Sequence, residues 1–182
     1  MDMKNMRIQK RLTTSFFIVA ILLSIVGIAA AIALFIMGRQ YSSALQNYGF
    51  AQGDVGMMLT EFADMRSCTR AIIGYSDQEM VQDVYEDYQE TRAEFEKAMA
   101  TVKEGLVTED GKRTFTQVET AVNKYLQIEE EVQAMAGAGD AEKSLAAQEK
   151  AYTEMGSAYQ EAYSLMEQVM STKTDNGNKL GK

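Results

Sequence analysis

Between Ser15 and Met37 the chain runs for 23 residues without a charged side chain, SFFIVAILLSIVGIAAAIALFIM. As a helix rising about 1.5 Å per residue, the run reaches roughly 34 Å, enough to cross a hydrocarbon core of about 30 Å. Lys4, Arg7, Lys10 and Arg11 precede it against Asp2 alone. A basic flank of this kind holds the N-terminus in the cytoplasm and sends the downstream chain across the membrane, with Arg39 and Tyr41 at the outer interface. A cleavable signal peptide is the rival reading, and the small residues Ala29–Ala33 would suit a cleavage site. Against it, the apolar run continues through Leu34, Phe35, Ile36 and Met37, longer than an ordinary signal core. Ala20, Ser24, Gly27 and Ala31 share one face of the span, which reads as a close helix–helix contact in a dimer or as compositional chance.

The charge of the whole chain, −8, divides unevenly. The leader over 1–14 has four basic residues and one acidic, so the remainder carries 14 basic and 25 acidic, a net of −11. An ectodomain this acidic is a poor partner for nucleic acid, which needs clustered Lys and Arg. There is no His and one Cys, Cys68. That leaves no set of ligands for zinc, copper or haem, and no cofactor is expected. No EF-hand spacing is present either. Cys68 reads as a buried free thiol or as one half of an intermolecular bridge.

The chain contains no Pro, and Pro is what interrupts long helices. Four amphipathic helices come after the anchor. The first lies within 39–74, where Val55, Met58, Leu59, Phe62, Met65, Thr69 and Ile73 recur at three and four. Gly49, Gly53 and Gly56 weaken its lower half. The second covers 77–104, with Met80, Val81, Val84, Tyr85, Tyr88, Phe95, Met99 and Val102 inward. Gly105 stops it, and Thr108-Glu109-Asp110-Gly111 makes a turn. The third covers about 112–136 on Phe115, Val118, Val122, Tyr125, Leu126, Val132 and Met135. The Ala-Gly-Ala-Gly stretch at 136–139 breaks the pattern, and Asp140 caps a fourth helix that reaches about 173 on Leu145, Tyr152, Met155, Tyr159, Tyr163, Met166, Val169 and Met170.

Short connections favour an all-α, antiparallel up-down-up-down four-helix bundle preceded by one transmembrane helix. The helices differ in length, at about 36, 28, 25 and 34 residues, so the bundle should taper with its two long helices nearest the membrane. The domain reading is a leader over 1–14, a transmembrane helix over 15–37, an extracytoplasmic sensor bundle over 38–175 and a polar tail over 176–182. A long helix heading back to the membrane and stopping reads as a chain cut just before a second span.

Catalytic constellations are absent: there is no Ser-His or Cys-His pair, no nucleophile elbow and no phosphate-cradling Gly-rich loop. An enzyme is therefore not expected. Glu129-Glu130-Glu131 reads as a solvated helix face, and the tyrosines read as core.

Two arginines resist that reading. Arg66 lies about 40° from Phe62 on the apolar stripe of the first helix, and Arg70 a further 40° round. An inward guanidinium is costly unless an anion meets it. That anion is either an acid of a neighbouring helix or dimer mate, or an anionic ligand matched to the guanidinium fork. Arg66 lies eight residues before Gly74 and Gln148 eight after Asp140, which sets them at one height in an antiparallel bundle. Ser144, Gln148 and Tyr152 then face the arginines on the same side as Met155 and Tyr159. A few polar groups converging in an apolar cleft is what a small-ligand site requires.

The leader "MKNMRIQKRL" running into the anchor, the segment "LTEFADMRSCTRAIIG" and the long fourth helix together resemble the sensor portion of bacterial methyl-accepting chemotaxis proteins, over essentially the whole chain. The resemblance implies a parallel homodimer integral to the inner membrane. It implies ligands bound near the membrane-distal end, between helices one and four. Arg66 and Arg70 in "MRSCTR" match the positions that hold a ligand's carboxylates in aspartate-type receptors. Polar groups early in helix four would hold the amino end, matched here by height and face as Ser144, Gln148 and Tyr152. Ile73 and Gly74 stand where a further arginine is expected, which speaks against a dicarboxylic amino acid. The implied function is a chemoreceptor sensor that binds an extracellular small molecule (a carboxylate or amino acid), or a ligand-carrying binding protein, and signals by helix displacement. The alternative is a ligand-free structural or protein-interaction module of a histidine kinase or other transmembrane signalling protein.

Overall fold

The computed structural model describes residues 8–45, 49, 51–136 and 140–180. The chain forms two compact units, 1–43 and 44–182. The first is a single helix, α1, spanning Ile8–Ala44. Within its segment Leu12–Ser42, an 18-residue window has a mean hydropathy of 2.9 and none of that window is buried, so in length and composition the helix suits a membrane span. The helix extends beyond 15–37 at both ends because nothing in its flanks breaks it.

The second unit is all-helical among its described residues: α2 (Ala51–Gly74), α3 (Gln78–Glu104), α4 (Glu109–Met135), α5 (Ala141–Lys150) and α6 (Gly156–Leu180). α5 and α6 form one rod, joined by a single π-helical turn at Ala151–Met155. With that join, α2, α3, α4 and the α5–α6 rod are the four helices expected. α2 packs along α3, α4 along α6, and α2 also meets α5 and α6. Whether the first bundle helix begins upstream of Ala51 falls partly on 46–48 and 50, outside the described residues, as do 137–139 of the Ala-Gly linker.

Two helices start on an aspartate cap, and at Asp140 it is the one expected. Asp77 Oδ1 accepts from the amides of Glu79 and Met80, and Asp140 Oδ1 from those of Glu142 and Lys143. At α4 the helix starts three residues earlier than expected. Thr108 Oγ1 accepts from the Gly111 amide at 3.1 Å, and Glu109 and Asp110 sit in a first turn that favours negative charge. Gly111 is thus inside the helix rather than in a turn. At the other end, α6 continues to Leu180 through residues assigned to the polar tail.

Each rod contributes one ring to the centre of the core. Phe62 of α2 stacks on Phe95 of α3 (5.2 Å between centroids) and on Tyr159 of α6 (4.9 Å). It meets Tyr125 of α4 edge-on at 4.7 Å. The inward stripe of α2 is buried as expected, from Val55 to Ile73. Four expected core residues are exposed instead: Met80, Tyr85, Leu145 and Tyr152. Met80 and Tyr85 lie in the first turns of α3, before its stripe of Tyr88, Phe95, Ala98 and Val102 goes inward. Leu145 and Tyr152 are displaced by the π turn. An uninterrupted α-helix running back from Tyr159 would bring 152, 148 and 145 inward. The wide turn absorbs one extra residue, so Ala147 and Ala151 face the core in their place.

Candidate ligand cleft and a buried carboxylate

One cleft brings together most of the residues singled out from the sequence. Arg66, Arg70 and Ile73 of α2 line it with Gly74 at the helix end; across from them stand Gln148, Ala151, Tyr152 and Met155. Its volume is about 400 Å³, within the range of small-molecule sites. The floor is apolar, with Ile73, Ala151 and Met155 all buried, while Arg70, Gln148 and Tyr152 are exposed at its mouth.

Arg66 is the least conventional group in it. Its guanidinium carbon lies 4.3 Å over the ring of Tyr159, a cation–π contact that steadies the charge without neutralising it. Its Nε is buried and has no hydrogen-bond partner. Neither Arg66 nor Arg70 forms an ion pair among the described residues. Tyr159, buried beside this cation, has its phenol pushed above the ordinary range by burial, with the arginine opposing.

Ser144 does not line this cleft. Its hydroxyl donates to the carbonyl of Ile73 at 2.6 Å, and the Gln148 amide donates to Ser144 Oγ at 3.2 Å and reaches toward the same carbonyl at 3.5 Å. Ser144 lines an adjoining recess of about 400 Å³ with Asp140, Tyr75 and Ser76. Together Ser144 and Gln148 tie the last turn of α2 to the first turns of the fourth rod, satisfying a carbonyl that the helix end leaves open. Tyr152, expected on the inner face, stands at the rim with 86% of its surface exposed.

The family model for a four helix bundle sensory module for signal transduction matches residues 5–182. The chain belongs to this family, the sensory module of methyl-accepting chemotaxis proteins. Comparison with curated proteins and with solved structures gave no match. The family is a signalling module rather than a catalytic one, and the long apolar α1 fits membrane anchoring.

The sensory module also contains a polar centre that the sequence reading assigned to the surface. Glu129 is fully buried. Its Oε1 accepts from Thr69 Oγ1 of α2 at 2.8 Å and from the Tyr125 hydroxyl at 2.5 Å; its Oε2 accepts from the Tyr88 hydroxyl of α3 at 2.9 Å. Gln133 Nε2 donates to Thr69 Oγ1 at 2.7 Å, which leaves the threonine hydrogen for the carboxylate. Burial raises the carboxyl above its usual range while the three hydroxyls oppose the shift. Tyr88 and Tyr125 are raised as well, first by burial and then by the Glu129 charge. The surface reading holds for the other two acids of the run: Glu130 pairs with Arg92 at 2.9 Å and Glu131 with Lys150 at 2.5 Å. A signal for Glu129 was present, since it lies four residues after Tyr125 and three before Val132 on the inward stripe.

Lys173 is a second buried charge, placed near the other end of the fourth rod. It is 5% exposed, and its Nζ donates to the carbonyl of Gly105 at 3.2 Å. An ammonium at the carbonyl end of α3 meets the negative end of the helix dipole. Burial holds its pKa below the ordinary lysine range.

Proposed function

We propose that this module is the extracytoplasmic sensor of a chemoreceptor, with α1 as its anchor and the N-terminus cytoplasmic. It binds a small organic anion in the Arg66–Arg70 cleft, with Gln148 and Tyr152 at the rim and Ser144 holding the two helices together behind it. The observation that carries this reading is the state of Arg66: a guanidinium on the core side of α2, with a buried unpartnered Nε, no acid paired to it among the described residues, and a cleft open beside it. An internally salt-bridged Arg66 with no cavity would have favoured a ligand-free module.

Binding transmits a signal only if the ligand favours one arrangement of the two helices over another. The placing of the cleft between two helices supports this reading, because α2 supplies the arginines and the fourth rod supplies the opposite wall. A small displacement of that rod along α2, in a homodimer, is the proposed output. The basic leader supports the orientation, since Lys and Arg are retained on the cytoplasmic side. The test is a thermal-shift screen of the whole chain in detergent against small organic anions such as acetate, succinate and benzoate. At least one should raise the melting temperature, and Arg66→Ala should abolish the rise. A rise that survives Arg66→Ala places the ligand elsewhere.

A further inference from the structure

We infer that the cleft selects a monocarboxylate with a short apolar or aromatic body and no ammonium group, in preference to the corresponding amino acid. This rests on the reading of the cleft as the ligand site. Three features of the cleft lead there. First, its polar capacity is for an anion: Arg66 and Arg70 line it, and Arg66 Nε is a buried donor with no acceptor. Second, the surface behind the arginines is apolar, made by Ile73, Ala151 and Met155. Third, no acid lines it among the described residues, and the undescribed residues of the bundle, 46–48, 50, 137–139, 181 and 182, include no Asp or Glu.

The acid of the adjoining recess, Asp140, is already engaged. Its Oδ1 accepts from the amides of Glu142 and Lys143, and its Oδ2 lies 3.5 Å from Lys143 Nζ. The Ile73 carbonyl is likewise taken, by the Ser144 hydroxyl. An α-ammonium held beside the carboxylate would therefore meet two guanidinium charges, with only neutral acceptors such as the Tyr152 hydroxyl to receive it. Removing that ammonium removes the repulsion and its desolvation cost, while the hydrocarbon body gains the apolar floor.

The experiment is calorimetric titration of the whole chain in detergent with pairs of the same skeleton: 3-phenylpropionate against phenylalanine, and 4-methylpentanoate against leucine. Succinate serves as an anion without an apolar body. Arg66→Ala, checked for helicity by circular dichroism, measures partition into the micelle, and Arg66→Lys is read in its place if the alanine variant does not fold. The expected result is binding of the ammonium-free acids at least about tenfold tighter than their amino acids, lost on replacing Arg66. Amino acids binding as tightly, or succinate binding where the apolar acids do not, overturns the ligand class and leaves the cleft as the site. No Arg66-dependent binding by any of the five overturns both.

Discussion

The guanidinium of Arg66 lies 4.3 Å above the ring of Tyr159, and that ring in turn stacks on Phe62, one helical turn before Arg66. The cation that lines the cleft is thus supported by the same aromatic centre that joins all four rods. Tyr159→Phe keeps the ring and should leave both stability and ligand response within about twofold of the parent. Tyr159→Leu removes the π face and should cost about 2 kcal/mol of stability from lost stacking and cation–π contact. Urea unfolding measures the first effect and anion titration the second; equal behaviour of the two variants would show that the ring does not support Arg66.

Glu129 makes stability depend on pH with a definite sign. Its carboxyl is raised in the folded state, so the folded protein binds more protons than the unfolded chain between the ordinary glutamate value and the raised one. Stability is then greatest below the unfolded value and falls as pH rises through that window. Glu129→Gln removes this contribution, and the difference between parent and variant should shift in the variant's favour as pH rises above the ordinary glutamate value. A difference that is flat with pH would mean that the buried carboxyl does not titrate in this range.

Glu129→Ala tests the same centre by a different route. It leaves the hydroxyls of Thr69, Tyr88 and Tyr125 without their shared acceptor. The expected loss is about 3 kcal/mol, from unsatisfied buried donors and the cavity. Glu129→Gln should cost less, because the Tyr88 hydroxyl can turn to accept from the new amide. The ranking of the two in chemical denaturation is the check.

The π turn predicts an asymmetry between two single-residue deletions. Deleting the exposed Thr153 lets Ala151–Met155 close to an ordinary α turn with Ala147, Ala151 and Met155 still inward, and should cost no more than about 1 kcal/mol. Deleting the exposed Gln160 rotates Ala162, Met166 and Val169 off the core, and should cost more than about 4 kcal/mol. Equal damage from both would show that the extra residue is not absorbed at 151–155.

Gly111 is constrained by its neighbour rather than by its backbone angles. A Cβ there would stand 2.9 Å from Thr108 Oγ1, the atom that caps α4. Gly111→Ala should displace the cap and cost about 1 kcal/mol. In a Thr108→Ala background the same substitution should be close to neutral, which a double-mutant cycle reads directly.

Local chemistry determined much of this protein. Twenty-three uncharged residues specify a helix long and apolar enough to cross a membrane, and three-and-four periodicity with Asp77 and Asp140 at helix starts specifies rods and their limits, because caps and amphipathic faces act within one or two turns. It also set Arg66 on the apolar side of α2. What the tertiary structure decided was anything requiring several rods at once. Thr69, Tyr88 and Tyr125 stand 60, 41 and 4 residues from Glu129, and only their convergence turns a surface-looking acid into a buried one. The π turn likewise leaves no residue signature. It exists because Ala147, Ala151, Met155 and Tyr159 all face inward at spacings of four, a drift of about 120° that a regular α-helix cannot hold against one neighbour. That turn moved Tyr152 to the rim and set Ala151 in the floor, so the cleft's arginines were legible in the sequence and its opposite wall was not.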